Sequence, residues 1–126
     1  MIGRLHHLVI DCPDPAALAR FYAALLGQPI TYRSLDFIVV AKNDHSSGLA
    51  FQRARELRAP RWPDPQYPQQ MHLDVMVEDL AVARTQVLAL GAVALEPVPE
   101  PTVFADPAGH PFCLISRPGW AEPVGS

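Results

Sequence analysis

Nowhere among the 126 residues does an apolar run approach the roughly 20 residues of a membrane-spanning helix, so no membrane partner is expected. Positive charge is also short. Lys and Arg total 10 against 13 Asp and Glu, the net charge is −3, and no basic block appears, which argues against a nucleic-acid partner. Two cysteines, Cys12 and Cys113, are too few for a disulfide framework. Met1–Arg4 leads straight into a strand with no apolar signal core, and a reducing cytoplasm is the expected compartment. The length suits one hydrophobic core rather than two independent ones. Proline, by contrast, is plentiful: the 14 prolines gather mainly in Pro60–Pro68, Pro97–Pro101 and the tail, marking irregular connections.

What the chain does have is a repeat. His7-Leu8-Val9-Ile10-Asp11-Cys12-Pro13-Asp14 is followed by a helical stretch through Phe21-Tyr22 and then Leu26-Gly27. His72-Leu73-Asp74-Val75-Met76-Val77-Glu78-Asp79 is followed by a second helical stretch and Leu90-Gly91. The His-x6-Asp spacing is identical in both copies. Such a repeat predicts two equivalent halves, each contributing one histidine at the same strand position. Paired imidazoles suit a divalent metal. The reading of each His alone, as a hydrogen-bonded strand residue, stays open beside it.

Residues 5–11 alternate as a strand, with His7, Val9 and Asp11 on one face and His6, Leu8 and Ile10 on the other, helix-facing side. Asp14 and Pro15 start a helix as N-cap and first residue, and Leu18, Phe21, Tyr22, Leu25 and Leu26 form its apolar stripe. Gly27 closes it. Ile30–Arg33, Phe37–Ala41 and Leu49–Arg53 read as strands. In the second half, Met71–Val77 is a strand, and Asp79 caps a helix striped by Leu80, Ala83, Val87, Leu88 and Leu90. Ala92–Leu95, Thr102–Ala105 and Phe112–Ile115 follow as strands, with Asp106–Gly109 as a tight turn. Trp120 is the one anchor offered by an otherwise loose tail, and His45 and His110 are expected in solvent. The expected organisation is a single domain: module one 4–54, linker 55–70, module two 71–117 and tail 118–126. The fold class is α+β, two paired βαβββ modules forming a cup-shaped eight-stranded sheet with the helices outside and a ligand-sized concavity.

This ordered set of motifs resembles the vicinal oxygen chelate superfamily, the fold of glyoxalase I, extradiol dioxygenases and bleomycin-resistance proteins. The likeness spans residues 4–117. It rests on His-x6-Asp, Phe21-Tyr22 and Leu26-Gly27, and on His72, Val77-x-Asp79, Leu90-Gly91-Ala92 and the Asp106-Pro107-x-Gly109 turn. Within the superfamily it is similar to small glyoxalase-like proteins with a Phe51-Gln52 strand ending and a His-Leu-Asp fifth strand. The resemblance implies a metal (Zn, Fe, Ni or Mn) at slots falling on His7, Gln52 (Phe51 if the register is off by one), His72 and Cys113. It departs from the family where carboxylates usually stand. Gln52 does not take a proton near neutral pH, and Cys113 replaces the usual Glu, which disfavours the glyoxalase I and extradiol dioxygenase reactions.

The candidate metal ligands are therefore His7, His72 and Cys113, with Cys113 otherwise a small apolar filler. Asp74 is the candidate catalytic residue: it orients a ligating imidazole, acts as a base or holds a polar substrate, the structural alternative being an ion pair with Arg33 or Arg53. Gln52, Phe37 and Trp62 are candidate substrate contacts, although Trp62 and Tyr67 suit a subunit interface equally. The expected partners are a small-molecule ligand and a second copy of the chain. Two functions are carried forward, a metal-dependent enzyme acting on a small oxygen-bearing substrate and a non-catalytic binder of the bleomycin-resistance type. A structural or regulatory dimer with a vestigial site is the third.

Overall fold

The computed structural model describes residues 1–67 and 71–125. The end of the expected linker, residues 68–70, and Ser126 lie outside the described residues. The chain divides into two compact units, Met1–Arg58 and Ala59–Ser126.

The first unit runs β1 (His7–Cys12), α1 (Pro15–Leu26), β2 (Ile30–Arg33), β3 (Phe37–Val40) and β4 (Gly48–Arg53). Its sheet has the order β1-β4-β3-β2, with β1 and β4 parallel and the other pairs antiparallel. The helix starts where the local chemistry requires. The Asp14 carboxylate accepts the Ala17 N–H at 3.1 Å, Pro15 occupies the first turn, where its missing N–H costs nothing, and Gly27 ends the helix at φ +62°. Strand alternation sends Phe51, Ile38 and Val40 toward the helix, where Leu18, Phe21 and Tyr22 meet them as a buried core. Tyr22 and Phe51 stack with centroids 5.3 Å apart. Burying each such side chain stabilises by about 1.5–3 kcal/mol. The opposite sheet face carries a smaller cluster, Val39, Ala41 and Ala50, with Phe37 packed against it.

The second unit repeats the plan with β5 (Leu73–Val77), α2 (Leu80–Ala89), β6 (Val93–Ala94), β7 (Val103–Ala105) and β8 (Pro111–Ser116). The sheet order is β5-β8-β7-β6, again with its first and last strands as parallel neighbours. Asp79 caps α2 through the Val82 N–H at 3.0 Å. Phe104 and Phe112 face each other across the β7–β8 ladder, stacked at 5.8 Å, and are fully buried. The βαβββ pattern predicted from the repeat is thus present twice, as two four-stranded sheets each with its helix.

Several details differ from the sequence reading. The ladder of β1 starts at His7, so His6 is exposed rather than turned to the helix, with its ring 4.0 Å from that of His7. On α2 only Ala83 and Val87 of the stripe are buried; Leu88 and Leu90 are exposed, because a ten-residue helix beside short strands covers a narrow face. Trp120 does not anchor the tail, being 88% exposed. The tail is tied instead by polar contacts: Glu78 accepts the Val124 N–H, and Arg117 donates to Glu78 at 3.0 Å and to the Ala121 carbonyl. His110 is half-buried in its turn, whereas His45 is exposed as expected.

Candidate functional site

In module two, the parallel register pairs Asp74 with Cys113, and the antiparallel register pairs Cys113 with Val103, which sets these residues in one row across β5, β8 and β7. His72 directly precedes β5, and its Nε2 lies 3.4 Å from Asp74 Oδ1. One nitrogen, one oxygen and one sulfur, from His72, Asp74 and Cys113, all lie within 4.8 Å of one another. His72 and Asp74 are roughly half exposed at 44% and 53%, while Cys113 is half-buried.

Burial first, and the neighbouring carboxylates after it, set the electrostatics of this cluster. Burial pushes the Cys113 thiol above its ordinary range, and the negative charges of Asp74 and Glu96, with a hydrogen bond to Asp74, push it further. The thiol is therefore held protonated, the opposite of an activated nucleophile. A bound cation reverses that balance, because it stabilises the thiolate directly.

Glu96 is a contributor that the sequence reading missed. Its Oε1 accepts the Thr102 and Val103 N–H groups, both at 2.9 Å, and the Thr102 hydroxyl at 3.3 Å. Those hydrogen bonds hold its carboxyl below the usual carboxylate range. It lies in a connection without periodicity; the one legible signal was a lone acid between Leu95 and Pro97 in an otherwise apolar stretch.

In module one, His7 opens β1 opposite Gly48, and its Nδ1 accepts the Gly48 N–H at 3.1 Å. Burial, with His6 adding to it, holds the His7 imidazolium pKa below its ordinary value, so the ring is neutral near pH 7. A neutral ring accepting at Nδ1 carries its proton on Nε2. Gln52 and Phe37 are register partners on β4 and β3. Gln52 also lines an open cleft of about 700 Å3 with Asp36 and the Arg53–Leu57 segment. Arg53 donates to Asp36 at 2.9 Å and to the carbonyls of Pro13 and Leu35. Among the described residues, the ion pair recorded for Asp74 is with His72. Trp62 is half-buried in the second unit, and Tyr67 is half exposed with the Arg61 guanidinium 4.6 Å from its ring centre.

A family model described as a glyoxalase-like domain matches residues 7–115. The chain belongs to this glyoxalase-like family. No curated protein matches it. Among solved structures, it is similar to a glyoxalase-related enzyme from Fulvimarina pelagi (22% identity, TM-score 0.67, 99% of this chain and 96% of that one). It is also similar to a fosfomycin resistance protein from Mesorhizobium loti (18% identity, TM-score 0.64, 90% and 91%). A third likeness is to the trypanothione-dependent glyoxalase I of Leishmania major (15% identity, TM-score 0.61, 90% and 86%). At these identities the shared property is the fold.

The family resemblance implies a divalent metal, and the glyoxalase-like protein's own donors fit one. An imidazole nitrogen, a carboxylate oxygen and a sulfur are all ligands of zinc-class ions, and side chains as exposed as His72 and Asp74 have rotamer freedom to converge. Among the described residues of this protein, no helix is long and apolar enough to cross a membrane.

Proposed function

We propose that this glyoxalase-like protein is a metal-dependent enzyme acting on a small oxygen-bearing substrate, with its chemistry centred on His72, Asp74 and Cys113. The observation that carries this reading is the convergence of three different donor types within 4.8 Å on one sheet. When bound there, a divalent ion supplies Lewis-acid polarisation of a substrate oxygen. His72 and Cys113 hold that ion. Asp74 is the carboxylate of the cluster able to accept a proton, a task that the neutral carboxamide of Gln52 cannot perform. Phe37 and Gln52, neighbours across β3 and β4, offer an apolar contact and a hydrogen-bonding amide to a substrate. Trp62 is assigned to substrate contact as well.

A second reading, a binder without chemistry, is favoured by one feature: the half-buried Phe37 ring stands beside Gln52, a group that moves no proton. In either case the protein is read as a cytoplasmic homodimer. Neither cysteine forms a disulfide, and β1 and β5 stand at sheet ends where strand edges invite pairing.

Metal content and turnover of untagged protein separate the two functions. The enzyme reading expects about one divalent ion per chain and metal-dependent turnover of some member of a panel of small carbonyl, diol and epoxide substrates. It expects little isomerisation of the methylglyoxal–glutathione adduct, since loss of the general acid–base groups at the Gln52 and Cys113 slots removes roughly 10²–10⁴-fold in rate. Ligand binding without turnover across the panel favours the second reading.

A further inference from the structure

We infer that module two holds a complete metal site by itself, with Asp74 as a direct ligand beside His72 and Cys113, and that His7 of module one is not part of it. The inference rests on the metal-dependent reading above and narrows it to a specific donor set.

Geometry is the first support. Asp74 and Cys113 are register partners on adjacent parallel strands, so their side chains leave the same face, and His72 Nε2 approaches Asp74 Oδ1 at 3.4 Å. An ion placed among the three meets the carboxylate as readily as the imidazole. Asp74 cannot serve merely as the carboxylate behind a ligating histidine while Nε2, the ring nitrogen facing it, binds the metal. One nitrogen does not do both.

Charge is the second support. A divalent ion is neutralised by one carboxylate and one thiolate, and module two supplies both, with a neutral imidazole as the third donor. Binding breaks the Cys113 S–H bond, forms a metal–sulfur bond and releases the proton to solvent. Asp74 coordinated through one oxygen keeps the other for the proton transfer proposed above.

The third support lies in module one. A metal-bound histidine almost always donates the N–H of its other nitrogen to an acceptor. His7 does the reverse, because its Nδ1 accepts from the Gly48 backbone at 3.1 Å. Ligation through Nε2 requires the proton to move to Nδ1, where it faces an N–H instead of a lone pair. The Gly48 hydrogen bond would have to break.

Cobalt(II) titration of the metal-free full-length protein tests the assignment, because a cobalt–thiolate bond gives a charge-transfer absorption in the near ultraviolet. The wild type is expected to take one equivalent and show that band. His7→Ala should bind cobalt within about twofold of wild type, a change too small for a lost ligand given that even groups which only orient a ligand contribute roughly 10–100-fold. Cys113→Ser should lose the band, and His72→Ala and Asp74→Ala should weaken binding by more than about 100-fold, beyond that orienting range. Asp74→Asn keeps the shape and guards against a folding artefact, as does an unchanged far-ultraviolet circular dichroism spectrum. No cobalt uptake, no charge-transfer band, or a loss in His7→Ala as large as in His72→Ala overturns the assignment. Cobalt or zinc bound in the expected pattern with no turnover on any substrate leaves this donor set standing and refutes the enzyme reading instead.

Discussion

Among the described residues, Asp106 is the one buried charged side chain, 3% exposed at the start of the β7–β8 turn. Its Oδ1 accepts the Ala108 N–H at 2.9 Å and the His110 N–H at 3.0 Å, while its backbone exchanges hydrogen bonds with His110 and Gly109 at 2.8 Å. Asp106→Ala removes both side-chain bonds and strands two N–H groups in a half-buried turn. Hydrogen bonds to a charged acceptor are worth about 1.5–3 kcal/mol each, and partial solvent access to the stranded groups argues for the low end, so the loss is about 3 kcal/mol. For a chain of this size that corresponds to a fall in Tm of roughly 10 °C. Because the turn fixes how β8 enters the sheet, and with it the Val103–Cys113–Asp74 row, cobalt affinity should fall in the same variant. Asp106→Asn retains an accepting oxygen and should lose clearly less. Thermal unfolding followed by near-ultraviolet circular dichroism measures both. An Asp106→Ala protein melting within about 2 °C of wild type, well inside that expected shift, refutes the reasoning, as does an Asn variant as damaged as the Ala variant.

Gly109 and Gly27 both have positive φ, +92° and +62°, but a Cβ at Gly109 would sit 2.7 Å from the Ala59 Cβ whereas none would be met within 4 Å at Gly27. Gly27→Ala should therefore cost only the left-handed backbone penalty of about 1–2 kcal/mol, and Gly109→Ala measurably more, by urea unfolding. Equal losses would show that Ala59 gives way freely. Glu96 has a folded-state pKa below its ordinary value because of the Thr102 and Val103 N–H groups, so its stabilisation is full above the ordinary carboxylate range and fades as pH falls through the lowered value. The stability difference between wild type and Glu96→Gln should accordingly be largest near neutral pH and shrink in acid; a difference independent of pH contradicts this.

The strongly periodic and capped parts of the fold were legible because their cause is local. Asp14 and Asp79 reach their caps three residues on, and Gly27 occupies the left-handed position that any Cβ disfavours. The row joining Asp74 to Cys113 was less so. Nothing local fixes the register of two parallel strands; the turn at Asp106–Gly109 and the Phe104–Phe112 stack set only the antiparallel β7–β8 half of the row. His72 and Cys113 were singled out from the sequence as ligands of one metal, with Asp74 beside the imidazole; the register that sets Asp74 opposite Cys113 was not legible, nor was the acceptor role of His7 Nδ1, which depends on a backbone N–H far along the chain. The pairing of Arg53 with Asp36, the residue just before β3, was likewise not legible, because it depends on the β3–β4 register. Trp120 looked like an anchor by size alone, while the contacts that hold the tail are polar ones of Glu78 and Arg117.

The parallel pairing of the first and last strands in each module has a consequence for biosynthesis. His7 meets Gly48 across a separation of 41 residues, and β4 must enter between β1 and β3. At a translation rate of about 5–20 residues per second, β1 waits roughly 2–8 seconds for its neighbour, a row of backbone amides and carbonyls open to any passing strand. Leu73 then waits in the same way for Phe112. Each module passes through its own vulnerable interval during synthesis, and synonymous changes that delay sheet completion without touching the final structure, such as slow codons placed before β4 or β8, should raise aggregation of an otherwise stable protein.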